Sequence, residues 1–203
     1  MFFLPTVLQG FQSKHLLCLS NGDFDGIGLI REKELQRAAI GVLQFDSIAF
    51  SHFRDGPEEH WDAGEVAQAV EKQVGVSKAT LVVTFDQFGA SGHANHISTH
   101  FGVKQYATQQ NSARCLELVS DVNVLSKFSS VFGAAVGANF PNGEEEAFVN
   151  ADLGVIYKAM QAHHSQFVWF RKLYLMFARG GFLNLVRPII PPPPHVTHNG
   201  EFK

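Results

Sequence analysis

Residues 81–96 read LVVTFDQFGASGHANH, and this stretch decides the fold. An uninterrupted apolar run, which reads as a buried strand, ends in Asp86; a glycine-containing loop then leads to His93 and His96. In open α/β sheets, ligands bind just beyond the carboxyl ends of strands, so the sequence predicts a functional site here. Two imidazoles at such a place indicate a metal ligand beside an acid–base group. The alternative is a chance pair, since the chain has 10 histidines.

Short apolar runs alternate with helical patterns along the rest of the chain. Further strands are predicted at residues 15–19, 47–50 and 115–119, and helices from residue 29, at 63–74, from 95, at 152–163 and at 166–178. Strands that alternate with helices predict an α/β fold, which we expect to be a Rossmann-like layered fold with a mostly parallel sheet. Residues 126–140 are apolar and contain glycine, and they fit neither pattern.

Composition fits one domain with a substantial core. The chain has 203 residues, of which 45% are hydrophobic and 17% charged, and a net charge of -3 gives no reason to expect nucleic acid as a partner. Cys18 and Cys115 both lie in apolar surroundings, which favours two free thiols in a reducing compartment over a disulfide. We expect one domain over residues 1–187 and a proline-rich tail over 188–203.

Two segments carry alternatives that the sequence leaves open. The helix at 166–178 is rich in aromatic and basic residues, and it is either a core helix with solvated charges or a face that rests on a membrane. Arg31 either forms a surface ion pair with Glu34, three residues further along the helix, or faces a ligand beside the glycine-rich loop that precedes it.

Motifs spread over residues 1–186 resemble those of one family. They are MFF and PT within residues 1–6, LCLSNGD at 17–23, GIGLIREKEL at 26–35, WD at 61–62, TFD and SGHANH within 84–96, and KAMQAH, SQ and WFR within 158–171. Together they resemble the N-acetylglucosaminylphosphatidylinositol de-N-acetylases, which are metal-dependent sugar deacetylases of glycosylphosphatidylinositol (GPI) anchor biosynthesis.

The resemblance implies roles for particular residues. His96 is expected to bind Zn²⁺ or another divalent metal, and His93 to stabilise the oxyanion and assist the leaving amine. Arg31 and Asp86 are expected at the substrate-binding site, where Asp86 would orient the histidine loop. The implied reaction is zinc-dependent hydrolysis of the N-acetyl group of a glycolipid at the cytosolic face of the endoplasmic reticulum membrane.

One departure from the family affects these expectations. The family's Ala-His-Pro-Asp-Asp-Glu motif, which carries two metal ligands and the general base, would come just before Met1 and is not in the sequence. We therefore expect a chain without the family's first strand, with two exposed strand edges, reduced stability and weak or no activity. Nothing in the sequence shows that Asp23, Asp25 or Asp86 replaces the missing carboxylates.

Two other functions stay open beside the lipid deacetylase. The chain could be a non-catalytic module of the same fold that binds the lipid or a partner, or a soluble sugar deacetylase with a different substrate. The SQ and WFR motifs favour the lipid enzyme over the soluble one by resemblance.

Overall fold

The computed structural model describes residues 5–109, 112–121, 123–129, 133, 135, 143–150 and 152–189. Its strands are β1 (His15–Cys18), β2 (Ser47–Phe50), β3 (Leu81–Phe85), β4 (Arg114–Leu118), β5 (Glu146–Val149) and β6 (Leu183–Pro188). Its α-helices are α1 (Gly28–Gln36), α2 (Ala63–Ser77), α3 (Gly89–Gly92), α4 (Ala94–Gln109), α5 (Val124–Lys127), α6 (Leu153–Ala162) and α7 (Trp169–Phe177).

The strands form two sheets. β1 and β2 pair in parallel as one sheet, and the other has the order β3-β4-β6-β5. In the second sheet β3 and β4 are parallel, whereas β6 runs antiparallel to both of its neighbours. The α/β class is confirmed, and β5 and β6 add an antiparallel part to the mostly parallel sheet. Among the described strands, β1 and β2 are each paired on one side, as are β3 and β5 at the two ends of the second sheet.

Helices cover the sheets on both faces. On one face α2 and α4 pack together over Leu17 of β1 and Cys115 of β4. On the other face Ile156 and Met160 of α6 and Leu175 of α7 pack with residues of β4 and β6. Val82 of β3 packs on the first face and Leu81 and Val83 on the second, which agrees with the largely apolar sequence of this strand.

Local sequence signals set the helix ends. The Asp62 carboxylate accepts a hydrogen bond from Glu65 N at 3.0 Å and caps α2, which ends where Lys78 adopts φ 57°. The Asp152 carboxylate accepts one from Gly154 N at 2.7 Å and caps α6. Each predicted helix is present, with bounds that differ by a few residues at most.

The structure bears on four further expectations from the sequence. Cys18 and Cys115 are both free thiols, as expected. Pro188 ends β6, and Ile189, which is 7% exposed, donates its N–H to Cys115 O, so the folded part extends past residue 187. Most of segment 126–140 and residues 190–203 lie outside the described residues. Within the described chain, no helix combines the length and the apolar character that a bilayer crossing needs.

Candidate active site

The carboxyl ends of β1, β2 and β3 meet at one cleft with a volume of about 750 Å³. Its lining brings together five chemically active side chains: Arg31, Asp55, His93, His96 and Arg171. Three of the four predicted site residues therefore share one cavity. This edge is where a Rossmann-like sheet places its ligand, because loops that follow neighbouring parallel strands converge there.

The histidine loop has an unusual backbone that presents the two rings. Gly89 and Gly92 have φ of 59° and 77°, and Ala90 has φ 58° although it carries a Cβ atom. A Cβ at Gly89 would lie 2.9 Å from His96 Cβ, so glycine is required there both for its conformation and for space. The loop ends at His93, and His96 lies on the first turn of α4.

His96 is held in one orientation by two contacts. Its ring stacks on the Phe85 ring, with centroids 4.2 Å apart, and its Nδ1 lies 3.0 Å from Gly89 O. A carbonyl oxygen only accepts, so Nδ1 donates the hydrogen bond and the neutral ring carries its lone pair on Nε2. Burial is the largest cause of a lowered pKa at His96, and the neighbouring His93 acts in the same direction. A neutral, oriented imidazole of this kind is the form that binds a divalent metal.

His93 has the opposite proton arrangement. Asn95 N donates a hydrogen bond to His93 Nδ1 at 3.3 Å, so the neutral His93 ring carries its proton on Nε2. The rings of His93 and His96 are 5.2 Å apart between centroids. His93 thus has an N–H donor at Nε2, whereas His96 has a lone pair at Nε2, and both rings line the same cleft.

Asp86 holds the histidine loop in place through hydrogen bonds. It is 1% exposed, and its carboxylate accepts hydrogen bonds from Ser120 N at 2.6 Å, from Ser120 Oγ at 2.5 Å and from Phe88 N at 3.1 Å. Ser120 Oγ also accepts a hydrogen bond from Ala90 N at 2.9 Å. Asp86 therefore ties the loop to the end of β4. Substrate contact by Asp86 stays a prediction, and its burial favours the orienting role.

Arg31 enters the cleft from α1. Its Nη1 donates to Gly22 O at 2.6 Å and lies 3.6 Å from Asp55 Oδ2, while its Nη2 lies 3.3 Å from Asp25 Oδ2. The buried Nε has no hydrogen-bond partner in the described chain. The surface ion pair with Glu34 is wrong: Glu34 is buried, and its carboxylate accepts from Ser165 N and Ser165 Oγ, each at 2.7 Å.

Two cleft residues were not predicted as site residues. Arg171, which the sequence analysis placed either among the solvated charges of a core helix or on a membrane face, lines the cleft from α7. Burial lowers its pKa, and so does the nearby Arg31. Two guanidinium groups that share a partly buried cleft favour an anionic ligand. Asp55 lies in the polar loop after β2 with a side chain 15% exposed, and only its position after a strand could have indicated it.

The described residues do not complete a zinc site. A catalytic zinc has three protein ligands as a rule, and no group of three or more His, Cys, Asp and Glu in the described chain could hold a metal ion. His96 fits one ligand position by its tautomer and burial. Of the carboxylates considered from the sequence, Asp23 accepts from Gly28 N at 2.6 Å, Asp25 pairs with Arg31, and Asp86 supports the loop.

Helix α7 presents an apolar face to solvent. Leu175 is its one buried residue, and the exposed side chains are Trp169, Phe170, Leu173, Met176 and Phe177. Trp169 is 72% exposed. The alternative of a core helix is therefore wrong. Nζ of Lys172 lies 5.0 Å from the centroid of the Phe167 ring, so a basic group borders the same face.

Comparisons with known proteins find relatives over most of the chain. Residues 2–107 match the family model described as "PIG-L: GlcNAc-PI de-N-acetylase". The chain is 29% identical over 188 residues to the N-acetylglucosaminyl-phosphatidylinositol de-N-acetylase of Bos taurus, covering 88% of this chain and 74% of that protein. It is 32% identical to the probable enzyme of the same name from Schizosaccharomyces pombe, covering 84% and 74%.

Solved structures with the same fold are also deacetylases. The antimicrobial reagent A40926 pseudoaglycone deacetylase Dbv21 superposes with a TM-score of 0.59 at 15% identity, covering 91% of this chain and 88% of that one. N,N'-diacetylchitobiose deacetylase from Pyrococcus horikoshii has a TM-score of 0.54 at 17% identity, covering 88% and 73%. At these identities the likeness shows the fold. Taken with the family model and the relatives, it leads to one conclusion: the chain belongs to the PIG-L family of GlcNAc-PI de-N-acetylases.

Proposed function

We propose that this chain hydrolyses the N-acetyl group of N-acetylglucosaminyl-phosphatidylinositol, a step of GPI anchor biosynthesis. In this reaction water adds to the amide carbonyl, the C–N bond breaks, and acetate and a free amine leave. The observation that carries the proposal is the pair of oriented histidines in one cleft with Arg31 and Arg171. A substrate with an amide at one end and a phosphate near the other matches that combination.

We assign each cleft residue one task. His93 donates a hydrogen bond from Nε2 to the developing oxyanion. As the imidazolium, which forms when the ring takes up the proton that the attacking water releases, it then protonates the leaving nitrogen and returns to the neutral form. Arg31 and Arg171 bind the phosphate, for which the buried Nε of Arg31 is an available donor. Asp86 keeps the histidine loop in place through Ser120.

We propose His96 as a ligand of Zn²⁺ or another divalent metal. Such a metal would polarise the amide carbonyl and supply hydroxide near neutral pH. The described residues offer one ligand of that site. The role of His96 rests on its tautomer, on its orientation by Gly89 and Phe85, and on its place in the cleft.

We also propose that the chain works against the cytosolic face of the endoplasmic reticulum membrane. The substrate is a lipid, and its headgroup must reach a cleft that Arg171 of α7 lines. The exposed apolar face of the same helix would lie in the headgroup region beside that cleft. Phe2 and Phe3, which the sequence suggests as further membrane contacts, lie outside the described residues.

A binding module without chemistry is the second candidate. It is favoured by one observation: the described chain supplies a single fitting metal ligand. Glycolipid binding would then persist through Arg31 and Arg171 without any acetate release.

The deciding experiment measures acetate release and glycolipid binding side by side. The purified chain is assayed by mass spectrometry on N-acetylglucosaminyl-phosphatidylinositol in mixed micelles, with and without added Zn²⁺. For the enzyme we expect turnover that falls about 10²–10⁴-fold in His93→Ala, the range for an acid–base group, and is lost in His96→Ala. His60→Ala, an exposed histidine outside the cleft lining, is the matched control and should retain turnover. Binding that depends on Arg171 but yields no acetate would instead establish the binding module.

A further inference from the structure

The helix that carries Arg31 into the cleft also has an exposed face. α1 (Gly28–Gln36) continues directly into a π-helical segment over Arg37–Val42. Exposed side chains recur along this helix every three or four residues, which places them on one side of it, and they are Leu29, Ile30, Lys33, Gln36, Arg37 and Ile40. We call this surface the α1 face.

Apolar side chains lie at both ends of the α1 face. Leu29 is 73% exposed and Ile30 50%, both in the first turn, and Ile40 near the other end is 45% exposed. Between these ends in the sequence, Lys33 and Arg37 line a shallow groove. Exposed apolar and basic side chains on one helix are typical of helices that lie on a membrane surface.

No acidic side chain of residues 28–42 lies on the α1 face. The Glu34 carboxylate is buried and accepts its hydrogen bonds from Ser165. The Glu32 side chain is 19% exposed, and its carboxylate accepts a hydrogen bond from Asn21 Nδ2 at 3.0 Å. The two positive charges of the face are therefore not neutralised by carboxylates of their own helix, and they suit an anionic surface.

The helix of the α1 face is joined to α7. Glu34 of α1 binds Ser165, which lies four residues before Trp169 begins α7. Arg31 of α1 and Arg171 of α7 line the same cleft, and they are close enough for one charge to lower the pKa of the other. The two helices with exposed apolar side chains are thus the same two that bring guanidinium groups to the cleft.

We propose that the α1 face is a membrane-binding surface for anionic phospholipids. Leu29 and Ile30 enter the headgroup region of the bilayer, while Lys33 and Arg37 bind the anionic headgroups beside them. The proposal rests on the proposed membrane function of the chain and deepens it, because α1 and α7 then contact the bilayer together on the two sides of their connection.

A bilayer fits this surface better than an acidic protein segment does. Either partner would attract Lys33 and Arg37. The exposed apolar side chains of α1 and α7 belong to two separate helices, and a bilayer offers apolar depth and negative charge to both at once.

The first test measures the charges of the α1 face. The 203-residue chain is sedimented with phosphatidylcholine vesicles that contain or lack phosphatidylinositol. We expect binding that requires phosphatidylinositol, weakens with added salt, and falls at least about tenfold in Lys33→Glu with Arg37→Glu. The matched control, Lys72→Glu with Lys78→Glu, reverses two exposed charges on α2 and at its C-terminal end, and it should bind as the parent does.

The second test measures the apolar part of the face. Leu29→Ser should weaken binding to the same vesicles by about tenfold, because a leucine side chain then no longer leaves water on binding. Val76→Ser is the matched control, since Val76 on α2 is also 73% exposed, and it should leave binding unchanged. All of these side chains are exposed, so the midpoint of thermal unfolding should stay close to that of the parent.

Four outcomes would overturn the proposal. The parent chain could fail to bind either kind of vesicle, or the α2 controls could lose as much binding as the α1 variants. The α1 variants could bind like the parent while Trp169→Ser with Phe170→Ser does not, which would leave α7 as the membrane contact. Dimerisation of the parent that is lost in Lys33→Glu with Arg37→Glu would assign the face to a second copy of the chain.

A failure of the proposed hydrolysis would be visible separately. Vesicle binding that depends on Lys33 and Arg37, in a chain that releases no acetate, would support the α1 face as a membrane surface and contradict only the catalytic proposal.

Discussion

At the scale of single residues, the site depends on backbone conformations that residues with a side chain rarely adopt. Gly89, Ala90 and Gly92 all have positive φ, and they turn the chain sharply between β3 and α4. This turn sets the Gly89 carbonyl opposite Nδ1 of His96 and thereby fixes which nitrogen carries the lone pair. The sequence indicated the histidines and the glycines, but not that one glycine carbonyl selects the tautomer of one histidine.

Gly89→Ala should lower the free energy of unfolding by about 1–3 kcal/mol, because the new Cβ meets His96 Cβ at 2.9 Å and Ile97 N at 3.0 Å in a left-handed conformation. Urea denaturation measures the change. Gly92→Ala is the matched control: its φ is 77°, but nothing lies within 4 Å of its Cβ position, so it carries the conformational cost alone. Equal destabilisation by both substitutions would show that crowding against His96 contributes nothing.

At the scale of elements, a buried carboxylate joins two segments far apart in the chain. Glu34 of α1 accepts two hydrogen bonds from Ser165 in the connection between α6 and α7. Burial raises its pKa, but the hydrogen bonds from Ser165 outweigh burial, and the net shift is downward. The SQ motif, which the sequence analysis associated with a lipid substrate, therefore has a structural task that fixes the start of α7.

Glu34→Gln should lower the free energy of unfolding at pH 7 by about 1.5–3 kcal/mol, the range for hydrogen bonds to a charged group. Because the folded-state pKa of Glu34 is depressed, its contribution is present above pH 4.5, the ordinary value, and is lost as the pH falls through the folded-state pKa. Denaturation between pH 3 and 7 should show the two proteins converging at low pH. Glu71→Gln on the exposed face of α2 should change stability by less than about 0.5 kcal/mol at every pH.

His163 at the end of α6 should make stability depend on pH in the same direction as Glu34, but at higher pH. Burial is the largest cause of its lowered pKa, so the unfolded chain binds a proton more readily below pH 6.5 and stability falls as the pH drops from there. His163→Gln should flatten the dependence of the unfolding free energy on pH below about 6.5. Gln161→Ala, an exposed change on the same helix, should keep the slope of the parent chain.

At the scale of the whole molecule, the cleft and the exposed face of α7 adjoin each other. Arg171 lines the cleft from the same helix whose Trp169 and Phe170 are exposed. An apolar surface beside a cleft with two guanidinium groups suits a ligand with an anionic headgroup at a membrane surface. The reduced stability expected from the sequence stays a prediction, which the sharpness of the thermal transition would test.

Replacing Trp169 and Phe170 together by serine should weaken sedimentation with phosphatidylinositol-containing vesicles at least tenfold, because the pair provides the most exposed aromatic surface of α7. The matched control replaces Phe101 by serine; it is also exposed, at 47%, but lies on α4 away from this face. Unchanged sedimentation of the double variant would contradict the membrane-facing role of α7, and unchanged thermal unfolding would exclude misfolding as the cause of a loss.

The sequence by itself determined the alternation of strands and helices, the strand that ends at Asp86, and the histidine pair beyond it, because period, turn chemistry and strand ends are local properties. It did not indicate β5 or β6, whose pairing depends on long-range contacts, nor the convergence of Arg31, Asp55 and Arg171 from three separate segments. Only the tertiary structure decided that Glu34 binds Ser165 and not Arg31, since Ser165 lies 131 residues further along the chain and only packing brings the two together. It also decided that β1 and β3 both line the cleft, since the arrangement of strands is a property of the packed molecule.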